Sequence, residues 1–112
     1  MYFDIKQIDA HELASWLEEK GQDMRLIDVR QPYEFAAGTI PGAEMMPLGS
    51  LPTRAWEIEK DKPVVIICQS GNRSAQACAY LTSRGHRNVY NLRGGVLTWA
   101  RSGLPYTLPQ TA

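Results

Sequence analysis

Cys68 closes the most apolar run of the chain, Val64-Val65-Ile66-Ile67, and is followed by Gln69-Ser70-Gly71-Asn72 and then Arg73. A cysteine at the carboxyl end of a strand, with a short glycine-bearing loop and a helix start behind it, has the makings of a thiolate nucleophile. Gly71 gives the loop the freedom to turn. Consecutive backbone amides in such a loop can then point inward as an anion nest. The helix N-terminus adds partial positive charge. Both effects favour thiolate over thiol. Arg73 fits poorly with helix electrostatics alone, because a cation in the first turn opposes the dipole by roughly 0.3–1 kcal/mol. Its presence predicts a compensating anion nearby, either the Cys68 thiolate or a bound oxyanion.

The remaining reactive residue types point elsewhere. Cys78 falls at an apolar spacing inside the helix after the loop and is expected to pack in the core. A Cys68–Cys78 disulfide is not expected. About five helical residues at ~1.5 Å each, plus part of a loop, exceed the usual Cα separation of about 4.4–6.8 Å. His11 and His86 have no metal-ligand spacing to a cysteine or to each other, so surface or capping roles are expected, with no metal and no cofactor. Trp16, Trp56 and Trp99 are expected to pack rather than form a ligand box. There is no serine nucleophile motif and no Walker loop, and Gly94-Gly95 alone is a weak phosphate signal.

The elements needed to position Cys68 can be read from periodicity. Alternation predicts a strand over Phe3–Ile8, and Asp9 is placed to cap a helix carrying Leu13, Trp16 and Leu17 on one face, stopped by Gly21. Met24–Val29 reads as a second strand, Gln31–Phe35 as a short proline-started helix and Pro41-Gly42 as a turn. A brief strand at Ala43–Met46 precedes a helix over Leu51–Lys60. Val64–Ile67 is apolar on both faces, as suits the centre of a covered sheet. A helix over about Arg73–Ser83, a strand over Asn88–Leu92 and a helix begun by Gly94-Gly95 complete the pattern, with a loose tail after Pro105. Five strands alternating with helices predict an α/β fold, a mostly parallel five-stranded sheet with helices on both faces. Ligands of such sheets bind beyond the carboxyl ends of the strands, which is where Cys68 lies.

With 112 residues, 44% apolar and 21% charged, the chain is sized for one domain and is not disordered. No apolar run approaches the ~20 residues of a membrane-spanning helix. Residues 1–6 show no secretory signal, and two cysteines are not a disulfide scaffold, so a reducing, cytoplasmic setting is expected. The zero net charge hides a split: residues 1–62 carry all twelve acids and seven bases, residues 63–112 five arginines and no acid. The split suggests an anion handled by the C-terminal half. The arginines form no cluster, which argues against nucleic acid.

The chain resembles the rhodanese-like (sulfurtransferase) family over roughly Phe3 to Pro105. The resemblance rests on four stretches in the family's order: Leu26-Ile27-Asp28-Val29-Arg30 with Tyr33-Glu34-Phe35; Gly38-Thr39-Ile40-Pro41-Gly42-Ala43; Ile67-Cys68-Gln69-Ser70-Gly71-Asn72-Arg73-Ser74; and Leu92-Arg93-Gly94-Gly95 before Trp99 and Gly103-Leu104-Pro105. It implies a sulfurtransferase in which Cys68 takes the outer sulfur of a small anionic donor such as thiosulfate, holds it as a persulfide and passes it to a thiophilic acceptor or a protein cysteine. It implies that the amides of Gln69, Ser70, Gly71, Asn72 and Arg73 cradle the sulfur, with Asp28, Arg30 and Ser74 in support. Taken alone, Asp28 and Arg30 read equally well as a strand-end cap and a surface ion pair with Glu34. Where the family's turn usually has histidine after its first glycine, this chain has Thr39.

Rival functions share these features. Cysteine-dependent phosphatases and arsenate reductases also use a cysteine, an amide loop and an arginine. Their signature has five residues between cysteine and arginine, against four here. A binding module with a vestigial site is a second rival, but inactive relatives commonly lack the cysteine that this chain keeps.

Overall fold

The computed structural model describes residues 5–109. Five strands, β1 (Lys6–Ile8), β2 (Arg25–Asp28), β3 (Glu44–Met45), β4 (Val64–Ile67) and β5 (Val89–Leu92), form one sheet in the order β1-β5-β4-β2-β3. Every pairing is parallel. The helices are α1 (Ala10–Lys20), α2 (Pro32–Ala36), α3 (Leu51–Arg54), α4 (Asn72–Ser83) and α5 (Gly95–Arg101). Of the strand expected at Phe3–Ile8, Phe3 and Asp4 lie outside the described residues.

β4 is the centre of the sheet because both of its faces are apolar. Val64, Ile66 and Cys68 join a core with Ala77, Cys78 and Leu81 of α4 and Leu51 of α3. Val65 and Ile67 face the opposite core, with Leu13 of α1 and Val96 and Trp99 of α5. The two-residue period of a strand thus divides one apolar run between two layers. It also aims Cys68 toward α4, the helix that starts at the end of its own loop.

Several local expectations are corrected. The helix expected over Leu51–Lys60 ends at Arg54 and passes through a 3₁₀ turn at Ala55–Glu57. Ile58 is extended and 3% exposed, so burying it pulls the chain out of helical geometry. That turn leaves Trp56 82% exposed, against the packing role expected for it. Trp99 is buried and donates to the Pro105 carbonyl at 2.6 Å, while Trp16 meets the Tyr90 ring edge-on. His86 is buried and takes the capping role of the two expected: its ring sits between the carbonyl oxygen of Leu81, in the last turn of α4 (3.2 Å), and that of Ile58 (3.0 Å), and pins the chain after α4 to the Ile58 segment.

The segment after Pro105 is not loose at its start, where Tyr106 and Thr107 are tied down. Thr107 forms an antiparallel bridge with Thr39, and the Tyr106 hydroxyl donates to the Gly38 carbonyl at 2.7 Å. Of the C-terminal arginines, Arg73 stands at the Cys68 loop while others are carried away from it. α4 carries the chain from the carboxyl edge of the sheet back to the amino edge, so Arg84 at its end and Arg87 just before β5 lie at the far edge. No described helix is long and apolar enough to cross a membrane.

Candidate functional site

Cys68 follows directly on β4, and Gly71 caps α4 with φ +105°, a conformation that an L side chain rarely adopts. This turn sends the Gly71 N–H back to Cys68 Sγ at 3.1 Å. Ser74, one turn into α4, brings its Oγ to 3.2 Å from the same sulfur. The N–H groups of Gln69, Ser70, Asn72 and Arg73 take no acceptor among the described residues. For Asn72 and Arg73 this is the ordinary consequence of opening a helix. Cys68 is 1% exposed, so its sulfur lies at the floor of the loop.

The loop is held from behind. The amides of Val96 and Leu97 in α5 donate to the carbonyls of Cys68 (2.9 Å) and Gln69 (3.1 Å). Those carbonyls are thereby turned toward α5. Gly95 makes the approach possible: a Cβ there would lie 2.5 Å from the Cys68 oxygen and 2.3 Å from the Gln69 oxygen. Gly95 therefore packs directly against the Cys68 loop.

Arg73 has its anion, but it is neither of those expected. Its guanidinium grips Glu34 of α2 in a two-pronged pair at 2.6 and 2.8 Å. Hydrogen bonding from Arg73 holds the Glu34 carboxyl down at about 2, against burial, which pushes it up. The same pairing, with a smaller contribution from Cys68, raises Arg73.

Asp28 and Arg30 are not a surface pair with Glu34. Both are buried and bind each other, Nη2 to Oδ2 at 2.7 Å. Burial opposes the Arg30 charge, and the Asp28 carboxylate overrides it. Arg30 also donates to the Gly38 carbonyl (2.7 Å), and the Thr39 hydroxyl to Asp28 Oδ2 (3.0 Å). Thr39, at the position where histidine was expected, thus completes a buried polar knot. The knot braces the Gly38–Thr39 turn and makes no hydrogen bond to Cys68. Arg30 reaches the site only as part of a cleft of about 380 Å³, whose lining includes Tyr33, Gln69, Leu97 and Tyr106.

Cys78 is fully buried in the core, as its spacing predicts, and both cysteines are free. Burial pushes the Cys78 thiol up to about 12. Sequence reasoning missed Asn91 of β5, which accepts a hydrogen bond from Ser74 Oγ at 2.5 Å. The available signal was a lone polar residue in the run Val89-Tyr90-Asn91-Leu92.

The site is thus a buried cysteine at a strand end of an α/β domain, set against a loop amide and the first turn of a helix. The sequence profile of the Rhodanese-like domain matches residues 9–102, and the chain belongs to that family. A sulfurtransferase from Allochromatium vinosum is 47% identical over 106 residues, spanning 95% of this chain and 98% of the relative. A rhodanese-related protein from Thermoplasma volcanium superposes with a TM-score of 0.81 at 32% identity, over 93% of this chain and 99% of its own. A protein from Rhodopseudomonas palustris, of unknown function and described as a possible tyrosine phosphatase, superposes with a TM-score of 0.82 at 25% identity, over 91% and 84% of the two chains.

Proposed function

We propose that the protein is a sulfurtransferase that carries a sulfane sulfur on Cys68. The observation that carries this reading is the Cys68 sulfur against the Gly71 N–H, inside a loop whose other amides take no acceptor among the described residues. With thiosulfate as donor, the Cys68 thiolate attacks the outer sulfur. A bond forms between Sγ and that sulfur, the donor's S–S bond breaks, and sulfite leaves with the bonding pair. The amides of Gln69, Ser70, Gly71, Asn72 and Arg73 hold the charge of the persulfide, with Ser74 beside it. An acceptor (cyanide, or the thiolate of a protein cysteine) then attacks the outer sulfur and frees the Cys68 thiolate. Two displacements through one covalent intermediate give ping-pong kinetics. The scheme uses no cofactor, and a reducing cytoplasmic setting keeps the thiol available.

The phosphatase reading draws on the Rhodopseudomonas palustris structure. Against it stand the four-residue spacing from Cys68 to Arg73, which favours one sulfur atom over a tetrahedral phosphate, and an arginine already engaged by Glu34. Incubation with thiosulfate should add the mass of one sulfur to the Cys68 peptide, and Cys68→Ser should abolish thiocyanate formation with the fold intact. Thiocyanate formed by the folded serine variant would refute Cys68 as nucleophile. Cys68-dependent hydrolysis of an aryl phosphate without sulfur loading would favour the phosphatase.

A further inference from the structure

Both residues that touch Cys68 Sγ are held by a single side chain, at the Ser74 hydroxyl and at the Gly71 carbonyl. Asn91 is 4% exposed and lies on the α4 side of β5. Its Nδ2 donates to Gln7 Oε1 (3.1 Å) and to the Gly71 carbonyl (3.3 Å). The Gly71 carbonyl fixes which way the amide faces, because a flipped Asn91 would set its oxygen against that acceptor. Oδ1 therefore faces Ser74 and takes the one hydrogen of that hydroxyl, at 2.5 Å. Toward Cys68, 3.2 Å away, Ser74 is left with a lone pair, which suits a protonated thiol.

We propose that Asn91 is a positioning residue that sets the ionisation of Cys68 through the Ser74 hydroxyl. When the Cys68 proton passes to solvent, the Ser74 hydrogen turns from Asn91 Oδ1 to the sulfur anion, and Asn91 Oδ1 is left buried without a donor. Each ionisation carries that cost, worth about tenfold in the thiol–thiolate equilibrium. The loop amides favour the anion, and Asn91 holds it in check. The other ionisable groups about Cys68 are Arg73 and Cys78 of α4, Glu34 of α2, which occupies Arg73, and the Asp28–Arg30 pair at the end of the neighbouring strand β2. None of these pairs with Ser74 or Asn91.

The proposal rests on Cys68 as the nucleophile of the reaction proposed above, but its test needs no sulfur donor. The rate of iodoacetamide alkylation of Cys68 is measured against pH in the full chain, with peptide mass spectrometry separating Cys68 from Cys78. Asn91→Leu and Asn91→Ala should move the midpoint down by about one pH unit, so that alkylation below it runs about tenfold faster. Ser74→Ala should move it up. In the Ser74→Ala background, Asn91→Leu should add no shift, because its influence passes through the hydroxyl. An upward or absent shift in the folded Asn91 variants overturns the proposal, as does the same downward shift without Ser74. Loss of the fold in both Asn91 variants assigns the residue to stability and overturns it too. Unchanged alkylation profiles beside normal thiocyanate production would sink this inference alone; shifted profiles without sulfur transfer would sink the function alone.

Discussion

Replacing Glu34 by glutamine tests what the Arg73 pair does to the site. The amide keeps an oxygen for the Gln31 N–H, which Glu34 Oε1 accepts at 3.1 Å, so α2 retains its capping contact. It loses the charge that occupies Arg73 at 2.6 and 2.8 Å. An anionic donor reaching for Arg73 must compete with Glu34. The Arg73 side chain is 33% exposed, so the pair is discounted for solvent to about 1 kcal/mol. That corresponds to about a fivefold lower KM for thiosulfate in Glu34→Gln. Initial rates of thiocyanate formation at two ionic strengths give the value, and the gain should shrink at high salt. An unchanged or higher KM in a folded variant would refute the competition. The same variant should change acid stability. Glu34 titrates at about 2 in the fold against an ordinary 4.5, so it stabilises the folded chain above pH 4.5 and loses that contribution as pH falls from 4.5 toward 2. The glutamine variant lacks that limb of an acid melt.

Two further substitutions separate packing from chemistry. Gly95→Ala places a methyl group 2.3 Å from the Gln69 oxygen at φ +63°, and should cost about 3 kcal/mol or more along with most of the activity; a denaturant melt and a rate assay read both. Cys78→Ala leaves a small void in a full core and should cost about 1 kcal/mol with turnover preserved, which parallel melts and rates will show.

Much of this architecture was legible because it follows from local rules. The apolar run Val64–Ile67 had to be a covered central strand, and Cys68 at its end followed from the same reading. Gly71 announced the turn that brings an N–H to the sulfur. The illegible parts depend on which distant residues the fold brings together. Glu34 was considered as a partner for Arg30, its neighbour in sequence, yet it meets Arg73, 39 positions away, because α2 and the start of α4 share the carboxyl edge of the sheet. Asn91 looked like an ordinary strand residue, because only tertiary contact reveals Ser74 beside it. Trp56 left the core it was expected to pack in, since burial there was decided by Ile58 entering the core, and His86 caps α4 from a buried site and not from the surface. The charge split says which half carries the arginines but not where they fall: α4 keeps Arg73 at the carboxyl edge of the sheet and delivers Arg84 to the opposite one.

Cys68 keeps only 1% of its surface in contact with solvent. A second sulfur bonded to it would sit about 2 Å farther out. In the reaction proposed here, the protein would therefore conceal its own sulfur while offering the cargo atom. A bulky oxidant diffusing past would be kept from the carrier, whereas a slender thiol on a protruding tip could take the load. Reach, as much as affinity, would then decide who collects.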